Sequence, residues 1–135
     1  MPDREHLFNN LVRFQIELWN AVDARLRSET DLTLVHFESL RIVELTPDCR
    51  VNDVAEQLVI SVGGASKVVD RLEAAGYCER RSNPGDRRSS ILALTSAGEA
   101  ALAAAKPVHA RVLEEHLPGD LDAFAATLEA LRGTR

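Results

Sequence analysis

The chain has 135 residues, 45% of them hydrophobic, enough for one core and too few for two domains of ordinary size. A net charge of −5 argues against a uniformly basic nucleic-acid binder, and apolar runs of a few residues fall far short of the roughly 20 needed to span a bilayer. No secretory-type apolar stretch follows Asp3, Arg4 and Glu5, so a cytoplasmic protein with no membrane partner is expected.

Residues 4–27 carry Leu7, Leu11, Phe14, Leu18, Val22 and Leu26 at steps of three and four, and Phe8, Val12, Ile16 and Trp19 broaden the stripe. This is a long helix with more apolar surface than one neighbour can cover. Thr33 is placed to cap a second helix bearing Leu34, Phe37, Leu40, Ile42, Val43 and Leu45, which stops at Pro47 and Asp48. Asn52 is the expected N-cap of a short helix over 53–58, with Asp53 in its first turn and Val54, Ala55 and Leu58 facing inward.

Ser61 then caps a helix with Ala65, Val68, Val69 and Leu72 on one side and Ser66, Lys67, Asp70, Arg71 and Glu73 largely on the other. Gly76 follows as the glycine that ends it. Residues 77–82 and 89–94 read as short strands around the turn-forming Asn83, Pro84, Gly85 and Asp86, hence a hairpin. Ser96 with Glu99 fits a capping box, Thr95 being the competing cap, and opens an alanine-rich helix that Pro107 is expected to bend. Pro118 and Asp120 restart a last helix with Leu121, Phe124, Ala125, Leu128 and Leu131 in one stripe.

The fold class is therefore mainly α with a small β-hairpin. Cys49 and Cys78, with 28 residues between them, match no zinc spacing and are expected to be free thiols. His109 and His116 share a helix but are seven residues apart, not the three or four that bring ligands together, so neither metal nor cofactor is expected. Nothing resembles a nucleophile elbow, a phosphate loop or paired catalytic carboxylates, so an enzyme is not expected.

Charge is unevenly distributed. Residues 61–95 hold six basic side chains (Lys67, Arg71, Arg80, Arg81, Arg87, Arg88) against four acidic ones, a local +2 that leaves −7 for the remainder. A short helix, a tight turn, a second helix and a basic hairpin form the layout of a winged helix-turn-helix, in which the second helix enters the DNA major groove and the wing can reach the neighbouring minor groove.

The stretch VNDVAEQLVISVGGASKVVDRLEAAGYCERRSNPGDRRSSILALTSAGEAAL, residues 51–102, resembles the multiple antibiotic resistance regulator (MarR) family. Its most specific elements are DRLEAAGYCERR, the wing NPGDRRS and the helix start LTSAG. The resemblance implies one domain over 1–135, with a DNA-binding lobe at about 33–95 and dimerisation helices at about 4–28 and 96–133. It also implies a homodimer on a pseudo-palindromic double-stranded operator, acting as a repressor or occasionally an activator.

Carried over by position, Ser61 would hold a phosphate at the start of the recognition helix, and Ser66, Lys67 and Arg71 would line its groove-facing side. In the wing, Arg88 resembles the arginine that enters the minor groove, Asp86 the carboxylate that orients the tip, and Arg87 a phosphate contact, with Arg80 and Arg81 as further DNA contacts. Val62, Gly63 and Gly64 depart from relatives that place arginine, serine or threonine there; the glycines let the backbone approach the duplex and Val62 can touch a thymine methyl. Specificity is then expected to lean on the wing and on DNA shape.

Members of the family often bind small aromatic acids between the dimer helices and the DNA-binding lobe. Phe14, Trp19, His36 and Phe37 are the candidates for such an effector pocket. The competing function is a winged-helix protein-interaction module, which would not need basic and ion-paired residues at a hairpin tip.

Overall fold

The computed structural model describes residues 3–85 and 89–133. Six helices and one hairpin follow in chain order: α1 (Arg4–Glu29), α2 (Leu34–Leu45), α3 (Val51–Leu58), α4 (Val62–Ala74), β1 (Cys78–Ser82), β2 (Ser90–Leu94), α5 (Ser96–His116) and α6 (Asp122–Leu131). The expected order stands, with α1 running two residues past its expected end.

Local capping sets most boundaries. Thr33 Oγ1 accepts the His36 amide at 3.1 Å and Ser61 Oγ accepts that of Gly64 at 3.0 Å, as the sequence indicated. Asn52 is not a cap. α3 begins two residues earlier, at Val51, because Asp53 reaches back to accept the Arg50 amide at 2.8 Å. At α5 the two candidates resolve in favour of Thr95, whose Oγ1 accepts the Gly98 amide at 3.0 Å, and the helix runs on through Pro107 to His116. α4 closes in a Schellman arrangement: Gly76, at φ +83°, donates to Glu73 O and Tyr77 donates to Leu72 O.

The antiparallel strands pair Cys78 with Leu94, Arg80 with Leu92 and Ser82 with Ser90. Each strand is one residue shorter than expected at its start. Alternation turns Cys78 and Leu92 inward, and the Leu92 amide donates to Cys49 O at 2.7 Å, fixing the hairpin to the segment before α3.

The core runs from the C-terminal half of α1 (Val22, Leu26) through Phe37 and Leu40 of α2, Val54 of α3, Val69 and Leu72 of α4, to Leu102 and Val112 of α5. The first half of α1 and all of α6 contribute no buried residue. Phe8 at 65% and Leu131 at 73% exposure are the extremes of an apolar surface that also includes Leu7, Phe14, Ile16 and Phe124. No helix among the described residues is long and apolar enough to cross a membrane.

Candidate nucleic-acid interface

α3, the turn 59–61 and α4 form the helix-turn-helix. Val59 takes φ 58°, ψ 49°, a left-handed conformation that a β-branched residue adopts only under strain, and it is 86% exposed. The Val59 amide donates to Glu56 O and the Ile60 amide to Ala55 O, so α3 closes with a Schellman pair and the chain turns sharply into α4.

α4 buries Ala65, Val69 and Leu72, which spacing of three and four places on one side. Val62, Gly63, Lys67, Asp70 and Arg71 lie on its exposed surface, and Ser66 is half-buried. Gly63, Lys67 and Arg71 form one ridge at steps of four. Neither Lys67 nor Arg71 has an ion-pair partner among the described residues, and the Ser61 hydroxyl proton is donated to no acceptor there.

Arg80 and Arg81 are engaged differently. Arg80 bridges β1 to the recognition helix, its guanidinium 2.8 Å from Asp70 and 2.8 Å from Glu73, while its own amide donates to Glu73. Arg81 pairs with Glu79 on the same strand at 2.6 Å. The structure thus brings Arg80 onto α4 as a brace that orients the wing. At the neck of the wing, Asn83 accepts the Gly85 amide and donates to Ser89 Oγ. Asp86, Arg87 and Arg88 lie outside the described residues.

The four proposed effector-pocket residues do not share one cavity. Phe37 is a core residue at 1% exposure, stacked on the His109 ring at 4.4 Å, and lines neither of the two cavities that the other three residues line. Phe14 lines an apolar cavity of about 500 Å³ between α1, α5 and α6, whose polar groups are Gln15, Glu38 and His109. His36 lines a second cavity of about 540 Å³ with Arg27, Thr33, Ile60, Val68 and Arg71; Trp19 lines both.

The second cavity is electropositive. Burial lowers the His36 pKa from its ordinary value, Arg71 and Arg27 lower it further, and Asp23 opposes them. Sequence reasoning missed Arg27, although Trp19, Asp23 and Arg27 stand four apart on one ridge of α1. Cys49 and Cys78 are buried free thiols, each pushed up to about 11 chiefly by desolvation, so neither is a reactive thiolate at neutral pH.

A helix pair whose outer face carries two cations without an ion-pair partner among the described residues, braced to a hairpin, defines a winged helix-turn-helix DNA-binding protein. A sequence profile described as "MarR family" matches residues 32–90. Over 138 residues the chain is 28% identical to the multiple antibiotic resistance protein MarR of Escherichia coli K12, covering 97% of this chain and 96% of that one. A structure of the transcriptional repressor CouR bound to a 23-mer DNA duplex superposes with TM-score 0.76 at 31% identity, covering 92% of this chain and 88% of CouR. A structure of CouR from Rhodococcus jostii RHA1 bound to p-coumaroyl-CoA superposes with TM-score 0.80 at 22% identity, covering 93% of this chain and 90% of that one. Sco3205 of Streptomyces coelicolor, a MarR family regulator solved with DNA, has TM-score 0.85 at 20% identity over 95% of this chain and 82% of Sco3205. The chain belongs to the MarR family; it is a DNA-binding transcriptional regulator and not an enzyme.

Proposed function

We propose that this regulator is a cytoplasmic homodimeric repressor of a pseudo-palindromic operator, released when a small organic anion fills the cavity beneath α4. In this reading residues 33–95 are the DNA-binding lobe, and 4–28 with 96–133 are the dimerisation helices of a single domain. The observation that carries it is the pair Lys67 and Arg71, solvent-facing on α4 without an ion-pair partner among the described residues. An exposed cation held away from carboxylates is free to replace a phosphate counterion.

Lys67 and Ser61 contact phosphates, Ser66 and Arg71 face the groove, and Arg88 enters the minor groove with Asp86 and Arg87 beside it. Arg81 adds a peripheral contact, and Arg80 acts through the wing's orientation. Dimerisation is supported by α6, which has ten residues and buries none of them, and by the exposed first half of α1. A helix that short is marginal in water without packing, and an apolar face of this extent needs a partner.

The effector reading rests on the positive cavity and on the p-coumaroyl-CoA bound by the Rhodococcus jostii CouR. Trp19 supplies an apolar wall for an aromatic body and Arg27 and Arg71 supply charge for an acid group. Arg71 belongs to both the cavity and the DNA face, so an anion that draws it inward weakens DNA binding, and DNA weakens anion binding by the same factor.

The test is a fluorescence-anisotropy titration of a duplex selected by the protein from a randomised library, at several salt concentrations, with light scattering to give oligomeric state. The proposal expects a dimer, steep salt dependence, and loss of affinity in Lys67→Ala and Arg88→Ala with unchanged melting temperature. A monomer, or salt-independent binding, would overturn it.

A further inference from the structure

Glycine is the weakest helix former after proline, so two in the first turn of a recognition helix call for a reason. Elsewhere the chain supplies one. Gly76 and Gly119 sit at φ +83° and +82°, and a Cβ on Gly98 would lie 1.9 Å from Tyr77 O. Gly64 has an internal reason too, because a Cβ there would meet the capping hydroxyl of Ser61 at 3.1 Å.

Gly63 has none. Its backbone is helical, it is exposed, and a Cβ would find nothing within 4 Å among the described residues. Neither conformation nor packing within the chain requires glycine at this position. It heads the ridge that continues through Lys67 and Arg71, and its neighbour Val62 is 54% exposed on the same first turn. A largely exposed apolar side chain stands beside a position stripped of its side chain, on the surface that the DNA-binding reading turns to the duplex.

We infer that Gly63 is a specificity-determining residue: its missing side chain lets the first turn of α4 sit against the base edges, where Val62 packs on the 5-methyl group of a thymine in each half-site. This deepens the DNA-binding reading and rests on it. Thymine alone carries a methyl group in the major groove, so an apolar contact there discriminates between bases without a hydrogen bond. The recognition helix then reads sequence by shape and methyl contact, and specificity does not rest on the wing alone.

The experiment uses the full-length protein and a duplex recovered by selection from a randomised library. Gly63→Ala and Gly63→Ser are expected to melt at the wild-type temperature or up to about 3 °C higher, since alanine and serine favour helix over glycine. Yet both should bind the selected duplex tenfold or more weakly, with unchanged binding to an unrelated duplex. In parallel, each thymine of the half-site is replaced by deoxyuridine, which removes only the methyl group. At one position the wild type should weaken about fourfold, the value of one buried methyl, and Val62→Ala should be indifferent to that replacement.

Undiminished affinity in both Gly63 variants, a lower melting temperature in Gly63→Ala, or no deoxyuridine effect at any thymine overturns the inference while leaving DNA binding intact. Selection that recovers no duplex overturns the DNA-binding reading along with it.

Discussion

Replacing Gly98 by alanine probes how the wing, the recognition helix and the long α5 are locked together. Gly98 is buried in the first turn of α5, and a Cβ there would fall 1.9 Å from Tyr77 O and 2.8 Å from Tyr77 C. Both obstacles are backbone, so no rotamer change relieves the collision, and the start of α5 must part from the residue before β1 by more than 1 Å. That junction also holds the Thr95 amide on Tyr77 O at 3.1 Å and the Thr95 hydroxyl on Gly76 O. Opening it loses both bonds, about 1 kcal/mol each. Overpacking adds about 1–3 kcal/mol, and alanine's better helix propensity returns about 1 kcal/mol. The net loss of about 2–4 kcal/mol is a large fraction of an ordinary domain's stability and corresponds to roughly 6–12 °C in melting temperature. Circular dichroism melts of the two proteins measure it directly. Operator affinity should fall as well, because the same junction aims β1 relative to α4. A melting temperature within about 2 °C of wild type would refute the reasoning, showing that α5 can slide off the Tyr77 carbonyl at almost no cost.

In the proposed dimer Lys67→Ala would remove two phosphate contacts and should flatten the slope of log affinity against log salt by about 1.8; an unchanged slope would place Lys67 away from the phosphates. Val59→Gly relieves a left-handed β-branched residue and should stabilise the fold by about 1 kcal/mol in urea titrations, whereas destabilisation would show the turn to be unstrained. Burial depresses His36 and His109, so the unfolded chain binds protons more readily than the folded one. Their stabilising contribution is therefore present at pH 7.5 and is lost as pH falls below about 6.5 toward their folded values, and melts at pH 7.5, 6.5 and 5.5 should step downward. A flat profile contradicts the burial of these two rings in neutral form.

Much of the fold was legible because its signals are local. Thr33, Ser61 and Gly76 act through bonds to residues two to four positions away, which sequence order alone brings together. Asn52 failed because Asp53 beside it is an equally good donor-seeking group, and reaching back to Arg50 lets the helix begin at Val51. The candidate site divides the same way. The unpaired state of Lys67 and Arg71 follows from tertiary placement and could not be read from the sequence, nor could the engagement of Arg80 by Asp70 and Glu73, which depends on the hairpin folding back along α4. Phe37 belonged to a stripe whose periodicity marks burial without saying which side of a helix faces a cavity; the stack on His109, 72 positions away in the chain, decides it.

How occupancy of the cavity would reach the DNA follows from which elements are tied to which. Arg25 grips Glu115 through both terminal guanidinium nitrogens at 3.2 and 2.6 Å, Arg111 reaches Glu29 at 3.1 Å, and Lys106 reaches Glu44 at 2.7 Å. Each exposed pair is worth little alone, but together with the shared core they fix α5 against α1 and α2. Asp23 of α1 adds a further tie, accepting the Leu34 amide at the start of α2 while holding Arg27 at 2.7 Å. α4 packs through Ala65, Val69 and Leu72 and is tied to β1 through Arg80, with Val68 and Arg71 left at the cavity edge. An anion between Arg27 and Arg71 would compete with Asp23 for one arginine and, in the proposed complex, with DNA for the other. Arg71 carries that competition to α4, so an effector would act by re-aiming the recognition helix together with the hairpin braced to it, changing the roughly 34 Å separation that two successive major grooves require.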